Sequence, residues 1–152
     1  MAKIKSKLSF ILVILMLVPV ILALTACNSG EQTVEASEKV LTLEMNPTVS
    51  FVVDNDNKIT NVSLDNEDAG NIFVDVDFVG KDVDSAIQIF IENSAITGHV
   101  NTNVTVKVGG SNSIDVTNLK NKVKAKVEET FSSLGIDANV ELQDISSDDL
   151  IN

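Results

Sequence analysis

The chain predicts an α+β fold in which two helices pack on one face of an antiparallel sheet. Three observations carry that expectation. Apolar residues alternate with a period of two in several short runs, they recur at helical spacing in two longer ones, and each helical run has a single apolar stripe, enough to cover one side of a sheet.

The first 26 residues stand apart from that fold. Lys3, Lys5 and Lys7 precede an apolar run that closes on Leu24-Thr25-Ala26 before Cys27, the layout of an export signal. Leu24, Thr25 and Ala26 before a cysteine resemble the bacterial lipobox. That resemblance implies lipidation of Cys27, removal of residues 1–26, and a protein held on the extracytoplasmic face of the cell membrane by its acyl chains. The apolar run is also long enough to be an uncleaved membrane anchor. Pro19 within it, the single cysteine at the cut and the polar Asn28-Ser29-Gly30 beyond favour the lipoprotein. Residues 27–38 are polar and read as a flexible tether.

The domain, residues 39–144, opens with Val40 to Met45, where Leu41, Leu43 and Met45 alternate with Val40, Thr42 and Glu44 as in a half-buried strand. Asn46-Pro47 interrupts the run. Thr48 to Asp54 and Ile59 to Leu64 flank Asn55 to Lys58, whose Asn and Asp residues suit a tight turn, so a β-hairpin is expected. Ile72 to Val79 alternates again and reads as a further strand or extended edge segment. Asp82 is placed to cap a helix carrying Val83, Ala86, Ile87, Phe90, Ile91 and Ala95 up to Gly98. Val104 to Val108 reads as a strand broken by Gly109-Gly110. Val116 to Leu134 reads as a helix with Leu119, Val123, Val127, Phe131 and Leu134 on one stripe, and Ala138 to Gln143 as a last strand. Residues 145–152 form a polar tail.

Composition narrows the function. Without the signal, 22 acidic residues face 8 lysines, a formal net charge of −14, and the chain has no arginine, tryptophan or tyrosine. Nucleic acid is therefore not an expected partner. With Cys27 lipidated and His99 the one histidine, thiol and His-rich metal sites are excluded, and so are most His-based triads. No cofactor and no metal are expected. The expected partners are the membrane, through the lipid, and a protein or cell-wall polymer.

The run Leu43-Glu44-Met45-Asn46-Pro47-Thr48-Val49-Ser50, the hairpin after it, Asn61 to Asp68, and Gly80-Lys81-Asp82 opening a helix resemble the extracytoplasmic middle domain of RsgI-type anti-sigma-I factors. The resemblance spans about Val40 to Gln143 and implies a SEA-like, ferredoxin-like α+β domain. It also implies that such a domain can split its own backbone at Asn46-Pro47 while strand pairing holds the pieces together. Only Met1 to Lys7 precede the apolar run, too few residues to sequester a sigma factor, so direct sigma binding is not expected.

The residues support that chemistry independently. An asparagine amide can attack its own main-chain carbonyl, close a five-membered succinimide and expel the next nitrogen. At Asn46 the leaving amine is Pro47, which carries no hydroxyl for an N-to-O acyl shift, and Thr48 could only hydrogen-bond the reacting groups. No external substrate is expected, and such a cut happens once per chain. The other reading of Asn46-Pro47 is a simple bend between two strands. Three weaker candidates read as structure: Asp54, Asp56 and Asn57 as a turn, Asp75 and Asp77 as one solvated strand face, and His99 as a helix-end residue. The lysines from Lys120 to Lys126 read as a solvated helix face.

Overall fold

A computed structural model of the chain describes residues 38–145. The proposed lipobox and lipidation site, Leu24 to Cys27, lie outside the described residues, as do the signal and nearly all of the tether and the polar tail. Five strands and three helices follow one another: β1 (Lys39–Glu44), β2 (Thr48–Val53), β3 (Ile59–Leu64), α1 (Glu67–Phe73), α2 (Val83–Ile96), β4 (Asn103–Gly110), α3 (Ser113–Ser133) and β5 (Asn139–Asp144). The strands form one sheet in the order β3-β2-β1-β4-β5. The α+β class with helices packed on the sheet is as expected.

The first strand in the sequence is the middle strand of the sheet. Leu41 of β1 lies opposite Phe51 on β2 and Val108 on β4, and Leu43 lies opposite Val49 and Val106; all six side chains are fully buried. The period of two puts Thr42, Glu44, Ser50 and Lys107 on the other face. There the Thr42 and Ser50 hydroxyls are 2.8 Å apart and Lys107 pairs with Glu44. The helices close the apolar face: α2 buries Val83, Ala86, Ile87, Phe90 and Ile91, and α3 buries Val116, Leu119, Val123, Val127 and Phe131. Leu134 is past the end of α3 and 41% exposed, so the stripe stops at Phe131.

Three expectations need correction. First, residues 72–79 hold no strand. The helix α1 occupies Glu67–Phe73 and an irregular segment follows it. Asn66 caps this helix, Glu67 and Asp68 suit the positive end of its dipole, and Ala69 and Phe73, one turn apart, are its buried residues. The alternation after Ile72 comes from Phe78 returning to the core, where its ring meets Phe51 and Phe73 at centroid distances of 5.1 and 5.6 Å, while Val74 stays 70% exposed. Asp75 and Asp77 therefore share no strand face.

Second, the sheet is mixed. The pairs β1/β2, β1/β4 and β2/β3 are antiparallel, but β5 runs parallel to β4. The long helix α3 between them supplies the crossover that adjacent parallel strands require. Third, Gly109 and Gly110 do not break β4. They are its last two residues, paired with Val40 and Lys39.

Candidate functional site

Asn46-Pro47 is the tip of the hairpin between β1 and β2. Glu44 and Thr48 are the last in-register pair, and the Met45 N–H donates to the Pro47 carbonyl at 3.0 Å, closing the chain around Asn46. That closure puts Asn46 in the left-handed region, with φ of 58°, across a trans bond from Pro47. Asparagine tolerates this region better than most residues, yet the Cδ of a following proline crowds the main chain before it. A residue held so costs about 1–3 kcal/mol, which the surroundings must sustain. Met45 and Pro47 are buried and Asn46 is exposed, so both flanks are pinned while the amide reaches solvent.

Asn66 is what the tip is tied to. Its Nδ2 donates to Asn46 Oδ1 at 3.0 Å, and its Oδ1 accepts from the main-chain N–H of Thr48 at 3.2 Å and of Ala69 at 2.9 Å. The Thr48 carbonyl accepts from Asp65 N–H at 3.0 Å, and Ser50 Oγ donates to Asp65 Oδ2. Asn46, Pro47 and Thr48 are thus brought together with Asp65 and Asn66. Thr48 contributes its main chain to this cluster, and its neighbours are main-chain and amide groups.

Reading the sequence residue by residue missed Asn66, although its signal was present. An Asn followed by two acidic residues and then Ala69 and Phe73 one turn apart is a helix start. What the sequence does not carry is that this start lies against the β1–β2 turn.

The remaining candidates are held in local structure. Asp54 Oδ1 accepts from the N–H of Asp56 and of Lys58, the bonding of a turn. Asp77 Oδ1 accepts from Val79 N–H, and His99 Nε2 is 3.8 Å from Asp68. Lys120, Lys122, Lys124 and Lys126 pair with Asp144, Asp84, Glu128 and Glu129. A hollow of about 480 Å³ lies near the β2–β3 turn, ringed by Lys39, Asn57, Asp115 and Lys122. Lys39 Nζ already donates to the Asp54 carbonyl at 2.9 Å. Among the described residues no group of acidic, histidine or cysteine side chains is placed to hold a metal ion, and no helix is long and apolar enough to cross a membrane.

Comparison to known families matches residues 38–151 to the one described as "Anti-sigma factor RsgI-like central domain". The chain belongs to this family. The RsgI-like central domain covers all the described secondary structure, and membership connects the protein with anti-sigma-factor systems, whose RsgI-family members are membrane-associated. No curated protein matches the chain.

Proposed function

We propose that this is a lipid-anchored envelope protein whose RsgI-like central domain cuts itself at Asn46-Pro47 and then serves as an accessory or sensory element on the extracytoplasmic face of the cell membrane. The observation that carries the reading is the strained Asn46, at φ of 58°, directly before the bond to Pro47. Strain in the reactant is relieved when that bond opens, and the pinned flanks reduce the motion needed for attack. In the step, Asn46 Nδ2 bonds to the Asn46 main-chain carbon, the carbon–nitrogen bond to Pro47 breaks, Nδ2 loses one proton and the Pro47 nitrogen gains one. Water then opens the terminal succinimide.

The fold gives such a cut a use. After it, the lipid-bearing piece would end in β1, which is hydrogen-bonded to β2 on one side and β4 on the other and buries Leu41 and Leu43 between them. The rest of the domain would then be held to the lipid-bearing piece non-covalently, through that strand. Pulling the domain away would extract a central strand, a cooperative event suited to reporting a load or a captured partner. The partner class consistent with the acidic surface is a protein or a cell-wall polymer.

Denaturing electrophoresis and intact mass on the full chain, beside Asn46→Ala, test the cut. Two pieces, one ending at Asn46 and one starting at Pro47, are expected from the parent and none from the variant. One intact chain from both would make Asn46-Pro47 a plain turn and the domain a non-cleaving acidic binding module for a cell-wall polymer, a cation or a protein. Fatty-acid labelling tests the anchor, and a Cys27→Ser chain that keeps the label would sink it.

A further inference from the structure

We infer that Asn66 is the positioning residue for the Asn46 amide, an inference that rests on the self-cleavage reading above. Asn66 Oδ1 accepts two main-chain N–H groups, from Thr48 and Ala69. Two donors on one side fix which end of the Asn66 amide faces them, because an NH2 group there would meet N–H with N–H. The Nδ2 end is therefore the one turned to Asn46, and only an oxygen can receive it. Asn46 is held with Oδ1 toward Asn66 at 3.0 Å, and its Nδ2, the attacking atom, bonds to no described residue.

Two effects follow from this one bond. It limits rotation of the Asn46 side chain, so that Nδ2 rather than Oδ1 is on the free side of the amide. It also meets the charge that the reaction creates. An amide nitrogen is a poor nucleophile until it sheds a proton, and the negative charge left behind spreads onto Oδ1, where the Asn66 N–H already donates. Asn66 is well placed for this because its own position is set twice, by capping α1 and by gripping the chain just past Pro47.

The alternative is that Asn66 matters only as the cap of α1. Asn66→Asp separates the two roles, since aspartate caps a helix as well as asparagine does but its ionised carboxylate cannot donate to Asn46 Oδ1. The full chain and this variant are unfolded in urea, diluted into detergent buffers from pH 8 down to pH 5, and followed by intact mass, with circular dichroism confirming the fold. The variant is expected to cut about 10- to 100-fold more slowly at pH 8. A capping carboxylate that accepts two main-chain N–H groups is held ionised, so the deficit persists down to pH 5. A cap alone predicts a ratio of variant to parent rates within about twofold of one at every pH. That result, with the parent still cut, overturns the inference and leaves the cleavage reading standing. A parent chain that never cuts removes both.

Discussion

Leu43 of β1 pairs in register with Val106 of β4, joining the first strand of the domain to one that arrives only after two helices. The middle of the sheet is thus completed late in the chain, and its stability depends on contacts between distant segments. Leu43 is fully buried among Val49, Val106 and the helices above. Leu43→Ala should cost about 3 kcal/mol, the usual loss for a buried leucine whose surroundings cannot collapse into the gap. Urea unfolding of the full chain measures it. A loss below about 1 kcal/mol would show that β1 is not the packed centre of the sheet.

Asp82 predicts a specific response to acid. Its Oδ1 accepts from Ser85 N–H at 2.9 Å and its Oδ2 from the Ser85 hydroxyl at 2.9 Å, capping α2. The N–H first and the hydroxyl second hold the carboxyl below the ordinary aspartate value of about 3.8. The folded group releases its proton more readily than the unfolded one. The stabilisation is therefore complete above about pH 3.8 and is lost as the pH falls through the lower folded value. Asp82→Ala should cost about 1 kcal/mol at neutral pH. Asp82→Asn should keep most of that stability and show a shallower decline in acid, which urea midpoints between pH 7 and pH 2.5 would resolve. Equal acid sensitivity in parent and Asp82→Asn would assign the decline to other carboxylates.

Phe78 tests the segment whose form the sequence disguised. It lies outside any helix or strand, yet it is buried, edge-on to both Phe51 and Phe73. Phe78→Ala should cost about 3–5 kcal/mol, as for an aromatic removed from a packed core. Val79→Ala, at a side chain 52% exposed, should stay within about 0.5 kcal/mol. A strand would put Val74 on the same face as Phe78, so Val74→Ala, at a side chain 70% exposed, should also stay within about 0.5 kcal/mol, and a loss near that of Phe78→Ala would contradict the irregular segment.

That contrast shows where the sequence was legible. β1 to β3 and α2 could be read because each buries one face, which leaves a period of two or of 3.6 in the residues themselves. Residues 66–79 could not be read that way. Their helix is short, its cap looks like loop composition, and Ile72, Val76 and Phe78 mimic alternation while serving separate packing ends. The connection through α3 allowed β5 to run parallel to β4, but no residue set its direction. Asn46-Pro47 was visible as a pair, whereas its tie to Asn66 depends on α1 starting beside the hairpin tip, a relation between elements that no local pattern encodes.

Gly110 explains why a glycine pair ends β4 without breaking it. A methyl group built on Gly110 would stand 3.2 Å from Lys39 Cγ and 3.2 Å from Val116 Cγ2. Lys39 cannot easily withdraw, since it is buried with Nζ donating to the Asp54 carbonyl, and Val116 is buried in the first turn of α3. The glycine lets α3 start close against the end of the central strand. Its φ is not positive, so the constraint is one of space rather than of backbone conformation. Gly110→Ala must push either side chain by a few tenths of an ångström and should cost about 1 kcal/mol, the low end for overpacking. Gly70→Ala meets nothing within 4 Å in the middle of a helix and should be neutral or stabilising by up to about 1 kcal/mol. Thermal unfolding of the two variants side by side gives the comparison. A Gly110→Ala chain as stable as the parent would show that α3 can lift from β4 without loss.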